Sequence, residues 1–256
     1  SSIGWAVLQN NNADAPPAAN APRVNLLGCG VVTFGADDCL ASKRRDYRRQ
    51  RRHARSTRHR IANMEKLLAH LKVLSAEQLK QKHHQAGGHS VPWFLAAQIL
   101  ASGGEEKHLL NWPQLWDVLR WYAHNRGYDG NRRWSAQEIQ AQAEDTEKEK
   151  QAHALMEKYG TTTMAETLCK ALGLNPLGDK QSSKENFKRL NAAFPRTVVE
   201  KEVRRLLESH QKKLPAITGT FLESLFEDWR AAKVPDLKLP ARYQGGLLFG
   251  QLVPRF

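Results

Sequence analysis

The side chains best suited to binding an anion lie in residues 43–60. The segment, KRRDYRRQRRHARSTRHR, holds ten of the 39 lysines and arginines and one of the 26 acidic residues. Nine of its cations are arginines, whose planar guanidinium donates paired hydrogen bonds that match phosphate oxygens. Most of the formal net charge of +13 lies in this segment. The pattern predicts a surface for a polyanion, with nucleic acid as the leading candidate.

A single helix is expected to carry these arginines, because residues 41–74 contain neither proline nor glycine. On a helical wheel, five of them fall within an arc of about 80°: Arg44, Arg48, Arg51, Arg55 and Arg58. Three more lie beside that arc: Arg45, Arg49 and Arg52. Together these eight residues form the arginine row. The opposite face is predicted to be apolar and to dock on protein, through Ala54, Thr57, Ile61, Met64, Leu68 and Leu71.

Two other interpretations of this helix are weaker. A solvated charged face is unattractive, because so many like charges would repel one another along the helix without an anion. A basic leucine zipper is suggested by Leu67 and Leu74, which lie one heptad apart. The next heptad position is Gln81, and Pro92 ends the run. A zipper needs about three to four heptads, so this interpretation fails.

Residues 116–135, WDVLRWYAHNRGYDGNRRWS, form a second candidate site. Cations, an amide and aromatic rings follow a predicted helix on a glycine-containing turn, namely Arg126, Tyr128, Asn131, Arg132, Arg133 and Trp134. Such a set is typical of RNA recognition, through phosphate pairing, 2′-hydroxyl contacts and stacking. The alternative is an ordinary helix end, where exposed cations interact favourably with the helix dipole.

Catalytic and metal sites are not expected in this chain. The apolar stretch SSIGWAVL contains no acid, and Asp37 and Asp38 are best placed to cap the following helix. Metal-dependent phosphodiester cleavage needs several converging carboxylates. His83, His84 and His89 could suggest a metal site, but they lie in a glycine-rich stretch that favours a surface loop.

Aromatic residues of the region 112–122 have two interpretations. Trp112, Trp116, Trp121 and Tyr122 could form a platform on which bases stack. Trp112 and Trp116 are spaced to share one helical face, which favours burial in a core. Core is therefore the prediction for most of them.

The fold predicted from these patterns is mainly α, with a small β-strand pair at the N-terminus. Two apolar runs, residues 1–8 and 24–34, indicate strands, and Gly28 and Gly30 in the second suggest a bulge or a close backbone approach. Helices are predicted for most of the remainder, with a capping box at Ser75 and Gln78. Residues 245–256 return to strand-like character.

Five stretches, taken together and in order, resemble a known family. They are SIGWAVL (2–8), GVVTFG with the arginine-rich segment after it (30–60), LRWYAHNRGYDGNRR (119–133), FPRTVVEKEVRRLLESHQ (194–211) and LLFGQLVPRF (247–256). The chain resembles the N-terminal part of a type II CRISPR-associated effector, an RNA-guided DNA endonuclease with RuvC and HNH nuclease domains.

The resemblance implies four parts and a set of RNA contacts. Residues 1–40 would be a RuvC-like strand fragment, 41–74 an arginine-rich bridge helix, 75–246 a helical recognition lobe and 247–256 a strand returning to the RuvC domain. The arginine row would grip the guide-RNA backbone around its seed, ready to pair with target DNA. Arg126, Tyr128, Asn131 and Arg132 would meet the repeat:anti-repeat part of the guide, which is formed by crRNA and tracrRNA.

The resemblance also implies what this chain would lack. The first RuvC aspartate would precede Ser1, so the chain is expected to be a fragment that is inactive alone, with no cofactor of its own. Mg²⁺ is implied for the full-length nuclease, and a cytoplasmic, prokaryotic location for the protein. Two alternatives stay open. One is a stand-alone structured-RNA-binding or ribosome-associated protein, and the other is a module that docks an acidic protein such as an anti-CRISPR inhibitor protein.

Overall fold

The computed structural model describes residues 2–10, 24–33, 41–83, 90–128, 136–178, 190, 192–227 and 243–252. The chain divides into two compact units, Ser1–Ala54 and Arg55–Phe256. Within the described ranges the chain is mainly helical with a two-stranded antiparallel sheet near its start, which confirms the predicted fold class. None of the helices in these ranges combines the length and apolarity needed to cross a membrane.

The first unit contains a β-hairpin formed by β1 (Ser2–Asn10) and β2 (Val24–Thr33). The strands are antiparallel, and the register shifts between Val7 and Leu8. Trp5 lies opposite Gly30, and a Cβ on Gly30 would come within 2.8 Å of the indole ring. The glycine therefore makes room for the tryptophan, which confirms the predicted close approach and the bulge.

Apolar side chains on this hairpin are widely exposed. The exposed fraction is 61% for Ile3, 50% for Trp5 and 66% for Val31. Ile3 and Val31 lie on opposite faces of the two-stranded ribbon, so each face carries an exposed apolar side chain. A two-stranded hairpin alone is marginally stable in water, so these side chains need a further apolar surface to cover them.

Helix α1 (Ala41–His70) begins in the first unit and ends in the second. It ends four residues before the predicted Leu74, and Lys72 then adopts a positive φ of 55°. Its predicted apolar face is confirmed from Thr57 onward. Thr57, Met64 and Leu68 are buried, and Ile61 and Leu71 are partly buried. Ala54 was predicted to belong to this face and is exposed.

The second unit contains a series of short helices, the first of which begins with the predicted cap. These helices are α2 (Ala76–Lys80), α3 (Pro92–Ala101) and α4 (Trp112–His124), with a 3₁₀ turn at Glu106–His108. Ser75 and Gln78 form the capping box at the start of α2, and Asn111 forms a second one for α4. The first of these capping boxes was predicted and is confirmed, because it depends on local side-chain chemistry; the second was not predicted.

The aromatic residues of α3 and α4 form much of the core. Trp93, Phe94, Trp116 and Tyr122 are fully or almost fully buried, and Trp112 and Trp121 pack against them in part. The prediction of core rather than stacking platform is therefore confirmed for most of this set.

Four further helices lie in the described residues of the second unit: α5 (Ala136–Tyr159), α6 (Met164–Ala171), α7 (Arg196–His210) and α8 (Gly219–Phe226). The sequence predicts helices at about 135–160, 164–172, 197–212 and 221–233, and the structure has a helix in each of these ranges. Residues 228–233 of the last one lie outside the described residues.

Strand character is predicted for residues 245–256, and the structure differs from this prediction at residues 245–250. In the described residues 243–252, β3 (Tyr243–Gln244) and β4 (Gln251–Leu252) are two residues long, and residues 245–250 form the turn between them; residues 253–256 lie outside the described residues. Leu247, Leu248 and Phe249 are buried in the helical core. The N–H groups of Leu247 and Leu248 donate to the carbonyls of Ser224 and Leu225 near the end of α8. An apolar run bounded by glycines therefore folds as a buried turn that satisfies helix carbonyls.

Candidate nucleic-acid interface

The arginine row is exposed along its whole length. All eight side chains are exposed, six of them in the first unit and Arg55 and Arg58 in the second. Nε of Arg48 donates to the carbonyl of Arg44 at 3.3 Å, and Nε of Arg51 to the carbonyl of Tyr47 at 3.4 Å. Each guanidinium has four further N–H donors. The first half of α1 thus presents a line of charged donors at the surface.

In the second unit the row continues around a shallow surface depression. Arg55, Arg58, His59 and Ala62 line this depression, whose volume is about 360 Å³. Two guanidiniums beside an imidazole form a donor set suited to phosphate oxygens. Both arginines belong to the predicted site, whereas His59 does not.

Arg60 is the ninth arginine of the segment and has a different role. Its side chain is 0% exposed. Nε and one Nη donate to the carbonyl of Ala123, at 3.2 and 3.1 Å, and the side chain also donates to the hydroxyls of Thr57 and Ser56. Ala123 lies in the last turn of α4, where helix carbonyls lack partners within the helix. Arg60 therefore caps α4 from the neighbouring helix.

The turn after α4 holds two residues of the second predicted site. Arg126 is half-buried and donates from Nη1 to the carbonyls of Phe249 and Gly250, at 2.6 and 3.3 Å. Tyr128 is also half-buried. The other two residues, Asn131 and Arg132, lie outside the described residues, as do Arg133 and Trp134. The structure thus shows an intramolecular contact for Arg126 and leaves its RNA contact a prediction.

The backbone of this turn is held rigidly against the start of α7. The N–H of Tyr128 donates to the carbonyl of Phe194 at 2.7 Å, and the N–H of Arg196 donates to the carbonyl of Tyr128 at 2.7 Å. Gly127 has a φ of +81°, and a Cβ there would lie 2.7 Å from Cα of Arg196. Only glycine fits this position, both for its backbone conformation and for its space.

Buried polar groups hold helices of the second unit together, and the sequence analysis makes no separate prediction for these groups. The carboxylate of Glu202, on α7, accepts hydrogen bonds from the hydroxyl of Tyr122 and from the N–H groups of Met164 and Ala165 at the start of α6. Burial raises the pKa of Glu202 to about 7, against the effect of these three donors. Burial and the nearby Glu202 also raise the pKa of Tyr122.

His210 forms a second buried contact at the other end of α7. Its Nε2 accepts from the N–H of Leu110 at 3.0 Å, and its Nδ1 lies 2.7 Å from the carbonyl of Leu206, which requires Nδ1 to carry the proton. Burial lowers the pKa of His210. The imidazole is therefore neutral and joins α7 to the loop before α4. Its spacing with Val203 and Leu207 could have indicated burial.

Metal ligands do not come together in the part of the chain that the structure describes. No group of three or more His, Cys, Asp or Glu side chains there could hold a metal ion. Nε2 of His83 lies 3.0 Å from the carbonyl of Gln78, whereas His84, His89, Asp37 and Asp38 lie outside the described residues. The described residues therefore do not fit the Mg²⁺ that the resemblance implies for a full-length nuclease.

Comparison with known proteins finds solved structures with a similar fold, one of which is a Cas9 structure. No family model and no curated protein matches the chain. The structure is that of Campylobacter jejuni Cas9 in complex with sgRNA and target DNA, with 21% sequence identity and a TM-score of 0.50. The likeness is one of fold. It covers 95% of this chain and 29% of the Cas9 chain, so this chain spans less than a third of the length of that Cas9.

Proposed function

We propose that this chain is the guide-RNA and RNA–DNA heteroduplex-binding portion of a Cas9-like RNA-guided DNA endonuclease. The observation that carries the proposal is the exposed arginine row on one long helix. The similar fold of a Cas9 whose structure contains sgRNA and target DNA supports it. The division into RuvC fragment, bridge helix, recognition lobe and returning strand remains part of this proposal.

The chemistry of this role is positioning, with no covalent step. Guanidiniums neutralise phosphates and release their counterions, so a guide strand bound along α1 loses conformational freedom before it meets its target. The helices of the second unit supply a rigid support, because buried hydrogen bonds such as that of Arg60 hold them together. The exposed apolar hairpin fits a place within a larger sheet of a longer protein.

The first test compares two RNAs of equal length over a series of salt concentrations. One is a repeat:anti-repeat guide RNA, and the other is an unrelated hairpin. We expect tighter binding of the guide, with a preference that persists at moderate salt, because contacts beyond phosphate do not depend on counterion release. Equal affinities that fall together as salt rises would instead favour a stand-alone structured-RNA-binding or ribosome-associated protein. The similar Cas9 structure offers no support for an anti-CRISPR inhibitor protein as partner.

The second test measures how many phosphates the arginine row contacts. A variant with Arg48, Arg51 and Arg55 changed to alanine should bind RNA more weakly. The slope of log affinity against log salt should become shallower by roughly 2–3, since each phosphate contact contributes about 0.7–0.9 to that slope. The matched control removes three exposed cations on α7 and in the turn after it, namely Lys201, Arg205 and Lys212. An equal loss of slope in both variants would show that general basicity, and not the row, binds the RNA.

A further inference from the structure

Tyr47 is an exposed aromatic residue within the arginine row. Its side chain is 62% exposed, the largest exposed fraction among the described aromatic residues. It lies in α1, in the first unit of the chain. A solvated tyrosine at such a position contributes little to the fold, whereas the aromatic residues of the helical unit are mostly buried in its core.

Arginines flank Tyr47 at helical spacing on α1. Arg44 lies one turn before Tyr47 and Arg51 one turn after it, which makes both its neighbours on the helix surface. The side chain of Arg51 runs back along the helix, because its Nε donates to the carbonyl of Tyr47 at 3.4 Å. Arg48 runs back in the same way to the carbonyl of Arg44 at 3.3 Å. The guanidiniums therefore gather around the turn that carries the aromatic ring.

We propose that Tyr47 stacks on an unpaired base of the nucleic acid whose phosphates the arginine row binds. The proposal rests on the proposed function, since it needs a polynucleotide along α1. Cations that follow a backbone, interleaved with an exposed aromatic ring, are the arrangement by which proteins hold single strands. A base inside a duplex has both faces covered by its neighbours, so the ligand at this turn is a single-stranded or unstacked nucleotide.

The test uses two single-stranded RNA probes with the same number of phosphates. One is oligoadenylate, whose bases stack strongly, and the other is an abasic strand of equal length. Tyr47→Ala in the full chain should lower the affinity for oligoadenylate roughly five- to 150-fold, which corresponds to the contribution of one stacked base. Affinity for the abasic strand should be unchanged. Tyr47→Phe should bind both strands as the wild type does, because it keeps the ring and loses only the hydroxyl.

Three results would overturn the stacking role: an unchanged affinity of Tyr47→Ala for oligoadenylate, an equal loss for both strands, or a loss in Tyr47→Phe as large as in Tyr47→Ala. The last would mean that the hydroxyl makes the contact. The abasic strand tests the proposed function separately. If the wild type does not bind it, phosphate binding fails and the stacking proposal fails with it. If it binds with an arginine-dependent salt slope while Tyr47 has no effect on base preference, only the stacking proposal fails.

Discussion

Glu202→Ala should lower the free energy of unfolding of the helical unit by about 3–5 kcal/mol, because three buried donors lose their acceptor and each costs about 1–3 kcal/mol when unsatisfied. The donors are the hydroxyl of Tyr122 and the N–H groups of Met164 and Ala165. Two of them belong to the first turn of α6, where a carboxylate also stabilises the helix dipole. One substitution therefore weakens the junction of α4, α6 and α7.

Urea unfolding measures this effect, and Glu208→Ala is its matched control. Glu208 is an exposed glutamate on the same helix, and its loss should change the unfolding free energy by no more than about 0.5 kcal/mol. Glu202→Gln keeps one acceptor oxygen, so it should fall between the two. Equal midpoints for Glu202→Ala and Glu208→Ala would contradict the structural role of the buried carboxylate.

The same carboxylate gives a pH dependence whose sign is fixed. Burial raises the pKa of Glu202 from 4.5 to about 7, so the folded chain binds more protons than the unfolded chain between those values. Its contribution to stability is complete below pH 4.5 and is lost as the pH rises through about 7. The stability difference between wild type and Glu202→Gln should narrow over that range. The stability contribution of His210 depends on pH in the opposite direction, since its pKa is lowered from 6.5. His210 is present in both proteins, so its contribution cancels in this difference.

Local patterns predicted much of the fold because their physical causes are local. The capping box at Ser75 and Gln78 and the apolar face of α1 each depend on residues close together in the chain or on one helix face. Glu202 has partners on other helices, and His210 has one in the loop before α4, all of them many residues away. Nothing in the sequence near them identifies those partners. An acid at helical spacing with Val199 and Leu206 could have indicated burial but not what it would contact.

The buried turn at residues 247–249 shows a second limit. A short apolar run between glycines fits a strand as well as a buried turn, because periodicity cannot separate them over so few residues. The turn is favoured by contacts with the end of α8, whose carbonyls accept hydrogen bonds from the N–H groups of Leu247 and Leu248. A Cβ on Gly246 would lie 2.2 Å from the carbonyl oxygen of Leu225, so the turn approaches the helix more closely than another residue would allow.

Arg60 shows that composition and spacing can give opposite answers for the same residue. By composition it belongs with the other arginines of the segment. By spacing it falls on the same helix face as Met64 and Leu67, one turn before Met64 and two turns before Leu67. The structure agrees with the spacing, since Arg60 is buried and bound to the carbonyl of Ala123. The eight exposed arginines and Arg60 should therefore respond differently to substitution.

Arg60→Ala should lower the free energy of unfolding by about 3–5 kcal/mol, because it leaves a cavity and a buried helix carbonyl without its donor. Arg60→Met fills most of that space and should cost less, so it suits an RNA-binding assay. We expect Arg60→Met to leave the salt slope of RNA binding unchanged, since this side chain points into the protein and contacts no phosphate. Arg55 is an exposed neighbour of Arg60, and Arg55→Ala should have the opposite pattern of effects. It should reduce the salt slope of RNA binding by about 0.7–0.9 and change the urea midpoint little.

The two variants thus form a crossed pair with two measurements each. A charge of +1 is removed in both, so general electrostatic attraction changes equally and cannot explain a difference between them. If Arg60→Met reduced the salt slope as much as Arg55→Ala and left the urea midpoint unchanged, Arg60 would act as a phosphate ligand, and its cap on α4 would have no energetic importance. The expected result is that Arg60→Met lowers stability but not the salt slope, and that Arg55→Ala lowers the salt slope but not stability. The buried arginine then holds the second half of α1 against α4, and that attachment gives Arg55 and Arg58 a fixed support from which to bind a polyanion.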